Sequence, residues 1–137
     1  MKPVVGVGAI VFDEFGRVLL IERGKPPFEG RWSVPGGSVE LREPLAHAVA
    51  REVREETGLV VEVGQLACVV EGIDEEHHFV ILDYHARVAG GALAAGSDAR
   101  AVRFVDFDQI ATLPLTPGLA GVIARARATQ PPWSTSR

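Results

Sequence analysis

The chain has a single cysteine, so it cannot form an internal disulfide bond. Cys68 lies in "GQLACVVEG" among strand-forming residues, and we interpret it as a small core residue in a reducing compartment rather than as a nucleophile. No run of about 18 apolar residues occurs, and no charged start with a long apolar run opens the chain. We therefore expect a cytoplasmic protein that neither spans nor binds a membrane.

A surplus of positive charge is also missing. The 137 residues carry 14 Lys and Arg against 18 Asp and Glu, which gives a formal net charge of −4. A nucleic acid is therefore not expected as the main partner, because its phosphates are bound by clustered basic side chains. An anionic substrate would need local positive charge, such as bound metal ions. The length and the 47% hydrophobic content fit one domain with one sizeable core.

Apolar periodicity predicts five strands. The first two, at 4–13 and 17–23, flank the turn-like "DEFG" and are expected to form a hairpin. The others are expected at 60–70, 78–88 and 101–107.

Two helices are predicted between and after these strands. The first starts at Pro44, with Glu43 just outside, and ends at Gly58 as a left-handed cap residue. The second starts at Pro117, with Thr116 as N-cap, and runs to about residue 128. This order of elements favours an α/β fold in which helices pack against a mixed sheet.

Residues 1–128 are predicted to form the domain, and 129–137 a flexible C-terminal tail. The tail, "TQPPWSTSR", has no periodicity. Its Trp133 could dock on the domain or on a partner.

The first helix gathers glutamates on its apolar side. With Leu45 at 0° and 100° per residue, Val49 and Val53 lie at about 40° and 80°. On the same wheel Glu56 lies at about 20°, Glu52 at about −20° and Glu55 at about −80°. A run of charge on a helix is usually a solvated face. Solvated glutamates, however, would lie opposite the apolar stripe.

A carboxylate beside an apolar face needs a raised pKa, a basic partner or a bound cation, because burying it alone is costly. Hard divalent cations take oxygen ligands, and Mg²⁺ is typically held by a few carboxylates together with substrate phosphates. The three glutamates therefore favour a metal site over a solvated face.

The spacing of these residues resembles the signature of the Nudix hydrolases, the MutT-related pyrophosphohydrolases. "GRWSVPGG" before the signature and "SDARAVRFVDFDQI" after it resemble flanks common in that family. The resemblance covers residue 3 to about residue 128 and implies the Nudix fold, an α/β/α sandwich around a mixed sheet. The matching positions are Gly37, Glu43, Arg51, Glu52, Val53, Glu55, Glu56, Gly58 and Leu59.

The resemblance implies hydrolysis of a nucleoside diphosphate linked to another group, with Mg²⁺ or sometimes Mn²⁺. It makes Glu52, Glu55 and Glu56 metal ligands, with the Gly37 carbonyl as a further ligand. Glu52 is also a candidate for orienting or deprotonating the attacking water. Arg51 and Glu43 are expected to pair and to brace the loop against the helix.

Other site residues are candidates with open alternatives. Gly36 and Gly37 allow the backbone to approach a metal or phosphate closely, although a plain loop would also use them. Arg23 and Arg31 could reach phosphate oxygens or be solvated loop charges. Relatives often have glutamate at the position of Ala101, which leaves Asp98 as the nearest acid and the general base open.

Three histidines are also candidate ligands. His77 and His78 are adjacent and would point to opposite faces of a strand, so they are not expected to share an ion with each other. They are expected instead to border the loop "GIDEEHH", whose Asp74, Glu75 and Glu76 form an acidic rim. His85 lies farther along the same predicted strand.

The residues that flank the signature also indicate a substrate class. The flanks resemble ADP-ribose pyrophosphatases, but a proline common in those enzymes is replaced here by Asp74 and Glu75. ADP-ribose or a similar nucleotide sugar is the first expectation. A nucleoside triphosphate, oxidised or not, is the runner-up, and a domain that binds nucleotides without cleaving them is a third reading. Relatives include monomers and homodimers, so a monomer or a homodimer is expected.

Overall fold

The computed structural model describes residues 2–133. Strands, a helix, strands and a second helix follow one another as the sequence predicts. The elements are β1 Val4–Val11, β2 Val18–Arg23, β3 Trp32–Ser33, β4 Gly36–Ser38, α1 Leu45–Thr57, β5 Leu59–Ile73, β6 His78–Gly91, β7 Ala99–Val105, a 3-10 helix Phe107–Thr112 and α2 Leu119–Ala128.

The strands form two sheets. The larger has the order β4-β1-β6-β5 and is mixed, since β1 runs parallel to β6 while the other neighbours are antiparallel. The smaller has the order β3-β2-β7 and is antiparallel. A mixed sheet combined with helices confirms the predicted α/β class.

The predicted hairpin of 4–13 with 17–23 is wrong. β1 and β2 belong to different sheets. Beside the turn they are joined by the isolated bridge between Phe12 and Val18 and by the Asp13 N–H, which donates to the Arg17 carbonyl at 2.9 Å. The tight turn itself exists, because the Gly16 N–H donates to the Asp13 carbonyl at 3.1 Å. Both strands are largely buried, and each pairs with long partners elsewhere, β1 with β6 and β2 with β7.

The two helices lie against opposite faces of β1, because alternate side chains of a strand point to opposite sides. Val7, Ala9 and Val11 share one buried cluster with the α1 residues Val49 and Val53.

On the other face, Ile10 and Phe12 share a second cluster with Ile123 of α2. The strands therefore form the middle of an α/β/α sandwich, as expected from the family resemblance.

The ends of the helices differ slightly from the predictions. Pro44 is the extended N-cap of α1, with ψ at 145°, so α1 begins one residue later than predicted. Gly58 is confirmed as its left-handed C-cap, with φ at 76° and its N–H donating to the Arg54 carbonyl at 3.0 Å. The prediction that α2 starts at Pro117 is wrong by two residues, because Gly118 is left-handed with φ at 77° and cannot be helical.

The segment after α2 lies on the domain as far as it is described. The guanidinium carbon of Arg87 lies 5.0 Å from the centre of the Trp133 ring. The same ring fills the space beside Gly64, where an added Cβ would lie 2.6 Å from Trp133 Cη2. Residues 134–137 of the predicted tail lie outside the described residues, and a flexible tail from 129 stays a prediction. Among residues 2–133, no helix is long and apolar enough to cross a membrane.

Candidate active site

The α1 helix carries its glutamates as the helical wheel predicts. Glu56 is buried, with 7% of its surface exposed, beside the buried Val49 and Val53. The Glu52 side chain is 14% exposed and that of Glu55 is 47% exposed. Two of the three carboxylates therefore lie against the apolar side of the helix, and the third flanks them at its edge.

Glu56 connects the helix to the glycine loop. Its Oε1 accepts a hydrogen bond from the Gly36 N–H at 2.8 Å. Burial, and to a lesser extent the nearby Glu52 carboxylate, raises the pKa of Glu56 to about 7, although the Gly36 hydrogen bond opposes this shift. A buried carboxyl group with such a pKa is a typical feature of functional sites.

Arg51 joins three of the acidic side chains. Its Nε and Nη2 donate to the two oxygens of Glu43 at 2.7 and 2.9 Å. Its Nη1 donates to Glu52 at 2.8 Å and to Glu55 at 3.1 Å. A further bond from Nη2 reaches the Ser38 carbonyl at 3.1 Å, so the guanidinium ties the helix to the end of β4.

The ion pairs with Arg51 change the acidity of its partners. The hydrogen bond from Arg51 lowers the pKa of Glu43 to about 2. Burial raises the pKa of Glu52, and the hydrogen bond from Arg51 opposes that rise. The expected pairing of Arg51 with Glu43 is thus present, and Arg51 also compensates the Glu52 charge.

The two loop glycines have no room for side chains. A Cβ on Gly37 would lie 2.5 to 2.6 Å from the Glu52 carboxylate atoms, and a Cβ on Gly36 would overlap the Val7 carbonyl oxygen. β4 can therefore lie directly over Glu52 and beside β1 only with glycine at both positions.

The predicted substrate-binding residues fall into two groups. Arg23 lowers and Asp98 raises the pKa of Glu56 through their charges, so both act on that carboxyl group. Asp98 also forms an ion pair with Lys25 at 2.7 Å, a partner that the sequence reasoning did not identify. The Arg31 Nη1 instead donates to the Leu115 carbonyl at 2.9 Å.

The histidines have local partners. His77 Nδ1 lies 3.2 Å from Asp74 and His78 Nε2 lies 3.0 Å from Glu71. His85 is buried, with Nε2 3.4 Å from the Thr129 hydroxyl.

The donor set at α1 suits a hard divalent cation, because it combines carboxylates with the main-chain carbonyls of a glycine loop. Burial raises the pKa of both Glu52 and Glu56, and a cation bound beside them would favour their ionised form. Within residues 2–133, however, no three acidic, histidine or cysteine side chains converge on one point. Glu52 and Glu55 point to Arg51 and Glu56 to Gly36, so holding a cation would require these side chains to turn.

Sequence reasoning missed one buried acid, Asp83 of β6. Its signal is visible in the sequence, since Asp83 is the one acidic residue in the apolar strand "HFVILDYHARV".

The signature, the sandwich and the buried glutamates together define one class of protein. The model of the NUDIX domain family matches residues 2–126, and the chain belongs to the Nudix family of hydrolases. Nudix hydrolases generally use divalent metal ions.

Similar proteins agree with this class. An ADP-ribose pyrophosphatase of Methanocaldococcus jannaschii is 36% identical over 115 residues, which cover 82% of this chain and 68% of that protein. The 8-oxo-dGDP phosphatase NUDT18 of Danio rerio is 33% identical over 111 residues, 80% of this chain but only 33% of that protein. The crystal structure of a MutT NUDIX hydrolase from Burkholderia pseudomallei has a TM-score of 0.83 at 34% identity, and the match covers 91% of this chain and 98% of that one.

Proposed function

We propose that this Nudix hydrolase is an Mg²⁺-dependent pyrophosphohydrolase that cleaves the diphosphate linkage of a nucleoside diphosphate derivative. ADP-ribose or a similar nucleotide sugar is the leading candidate substrate. Mn²⁺ is expected to substitute for Mg²⁺. The observation that carries the proposal is that the buried Glu56 and the half-buried Glu52 lie directly beneath the glycine loop of β4.

Each residue of the signature has a role in this proposal. Glu52, Glu55, Glu56 and the Gly37 carbonyl would hold the metal ion. When bound, the ion supplies charge neutralisation on the diphosphate and a water that is easier to deprotonate. Release of Glu52 and Glu55 from Arg51 frees their oxygens for this role.

The protein's own groups do the rest. The Glu52 carboxylate lies so close to Gly37 that no side chain would fit there. From this position Glu52 orients the attacking water and is the first candidate to take its proton, with Asp98 as the alternative. Arg51 remains bound to Glu43 and the Ser38 carbonyl, and so keeps β4 at a fixed height above the helix. Arg23 adds positive charge beside Glu56 where a phosphate would lie. No side-chain nucleophile is required, so no covalent intermediate is expected.

The archaeal relative named as an ADP-ribose pyrophosphatase supports ADP-ribose as the first substrate. A second candidate has its own support, because the relative from Danio rerio is named as an 8-oxo-dGDP phosphatase. Oxidised guanine nucleotides are therefore the alternative substrate class.

A substrate panel separates these candidates. ADP-ribose, sugar nucleotides, dinucleoside polyphosphates, dGTP, 8-oxo-dGDP and 8-oxo-dGTP would each be incubated with Mg²⁺ and the products identified by mass. AMP and ribose 5-phosphate from ADP-ribose support the first proposal. Preferential turnover of the oxidised nucleotides supports the second. Failure to cleave any member with Mg²⁺ or Mn²⁺ would favour a domain that binds nucleotides without cleaving them.

A further inference from the structure

Two acids outside the signature differ in what they can contact. Asp83 is 4% exposed, its Oδ1 has no hydrogen-bond partner among the described residues, and its Oδ2 has one weak contact, with the Cys68 thiol at 3.9 Å. A Cβ on Gly8 would overlap that Oδ1, so Asp83 is enclosed by its neighbours and affects stability rather than ligand binding. The side chain of Asp98, between β6 and β7, is 53% exposed and can meet a ligand.

The loop that carries Asp98 is fixed to the end of α1. The Gly96 N–H donates to the Glu56 carbonyl at 3.2 Å. Ser97, the next residue, has a left-handed backbone with φ at 52°, a conformation that is rare outside glycine and that is concentrated at functional sites. Besides burial, the charge of Asp98 contributes to the raised pKa of Glu56, so this exposed carboxylate lies near the candidate site.

The segment after β2 holds the same acid. The Gly24 N–H donates to the Asp98 carbonyl at 2.8 Å, and the Lys25 ammonium lies 2.7 Å from the Asp98 carboxylate. The Lys25 side chain is 59% exposed, so both members of this ion pair are open to solvent. An exposed ion pair of this kind contributes little to stability, and Lys25 can therefore exchange Asp98 for another anion at little cost.

Other basic side chains in this part of the fold already bind carboxylates or main-chain carbonyls. These pairs are Arg51 with Glu43, Arg23 with the Pro27 carbonyl, Arg31 with the Leu115 carbonyl and Arg100 with Glu29. Among the described residues, the ion-pair partner of Lys25 is the exposed Asp98 alone. Because α1 gathers three carboxylates, a diphosphate brought there needs positive charge from a side chain that is free to turn, and Lys25 meets this requirement.

We propose that Lys25 is a substrate-binding residue whose ammonium group leaves Asp98 and binds an oxygen of the diphosphate when the nucleotide enters the site. This inference rests on the proposed function, since both candidate substrate classes bring a diphosphate to the carboxylates of α1. The ammonium group acts as a compact positive charge on the phosphate. The exchange also releases the Asp98 carboxylate, which is then free to act as the alternative acceptor of the water proton.

Calorimetric binding of inorganic pyrophosphate in the presence of Mg²⁺ measures this contact independently of the base. Lys25→Gln is expected to weaken binding about 10-fold, the effect of losing one hydrogen bond between charged groups. Lys25→Arg keeps the charge and should restore most of the affinity. Lys2→Gln is the matched control, since it removes the same charge from the other lysine of the chain, ahead of β1. Absence of pyrophosphate binding in the wild type, or equal binding by Lys25→Gln, would overturn the inference.

A double-mutant cycle separates this exchange from simple bracing of the loop. If Lys25 binds the diphosphate, Lys25→Gln should weaken pyrophosphate binding in an Asp98→Asn background by at least the factor seen in the wild type, because no carboxylate competes for the ammonium group there. If Lys25 only braces the loop through Asp98, Lys25→Gln should have no effect in that background, and this result would overturn the inference. Melting curves should show that all variants are folded.

Turnover assays separate this inference from the proposed function. Hydrolysis of a nucleotide with Mg²⁺ at a KM that is unchanged in Lys25→Gln would refute the role of Lys25 alone. Lys25-dependent binding of pyrophosphate without hydrolysis of any nucleotide would support the contact and refute the enzymatic proposal.

Discussion

Arg51 binds Glu43 through two parallel hydrogen bonds, Nε to Oε2 at 2.7 Å and Nη2 to Oε1 at 2.9 Å. The two residues are eight positions apart in the chain. Glu43 precedes α1, and Arg51 lies within it. The same guanidinium also donates to Glu52 and to the Ser38 carbonyl. One side chain therefore fixes the loop, the helix and a proposed metal ligand relative to one another.

Replacement of Arg51 should damage both stability and turnover. Arg51→Ala is expected to lower the Tm and kcat, because Glu43, Glu52 and the Ser38 carbonyl all lose their donor. Arg51→Lys keeps the charge but not the planar fork, so it should restore only part of each loss. Arg54→Ala, at an exposed position of the same helix, is the control. If Arg51→Ala and Arg54→Ala melted alike, the bracing role would lose its support.

Metal binding should be visible in melting curves. The wild type is expected to gain Tm on transfer from EDTA to excess Mg²⁺, because a ligand that binds only the folded state stabilises it. Glu56→Gln keeps an acceptor for the Gly36 N–H but loses its charge, so it should fold normally, gain clearly less from Mg²⁺ and lose most turnover. Glu62→Gln, whose partner is Arg87 on β6, should respond like the wild type. An equal gain in all three proteins would contradict the assignment of Glu56.

A methyl group on Gly37 should disturb the site locally. Gly37→Ala places a Cβ 2.5 to 2.6 Å from the Glu52 carboxylate, so that side chain must move and turnover should fall steeply. Gly72→Ala is the matched control, because an added Cβ there meets no atom within 4 Å. Full activity in Gly37→Ala would show that the position of Glu52 beneath this loop is unimportant.

The raised pKa of Asp83 predicts a specific pH dependence of stability. The folded-state pKa of about 6 lies above the ordinary aspartate pKa of 3.8, so between these values the folded state binds the proton more strongly than the unfolded state does. The free energy of unfolding should therefore fall as the pH rises through this window, by about 2 kcal/mol from this group.

Asp83→Asn removes that contribution. The free energy of unfolding of Asp83→Asn minus that of the wild type should be larger at pH 8 than at pH 4, as measured by urea unfolding at both pH values. Glu56 also has a raised pKa, but it is present in both proteins and cancels in the difference. A difference in stability that does not change with pH would contradict the buried, unpaired state of Asp83.

The parts of the fold that depend on local sequence could be predicted. The burial of Glu56 and the left-handed cap at Gly58 both follow from residues within α1 and its end. Strand pairing could not be read in the same way, because the choice of β6 rather than β2 as the partner of β1 depends on contacts distant in sequence. The start of α2 was missed because nothing local to Gly118 requires its positive φ.

The candidate site shows the same division. The spacing of the signature fixed which carboxylates share the helix face, but not that Glu52 and Glu55 would both bind Arg51. The ion pair of Asp98 with Lys25 joins two loops, and the isolation of Asp83 depends on a strand register. Such relationships arise only once the chain is folded.

Hydrolysis of ADP-ribose with Mg²⁺ in water enriched in ¹⁸O tests the central claim most directly. We predict AMP and ribose 5-phosphate, one of which carries a single ¹⁸O atom on its new phosphate oxygen. Glu56→Gln should form neither product at a comparable rate, and Glu62→Gln should match the wild type. If no nucleoside diphosphate derivative or triphosphate in the panel were cleaved with Mg²⁺, or if Glu56→Gln were fully active, the account of this site would be contradicted.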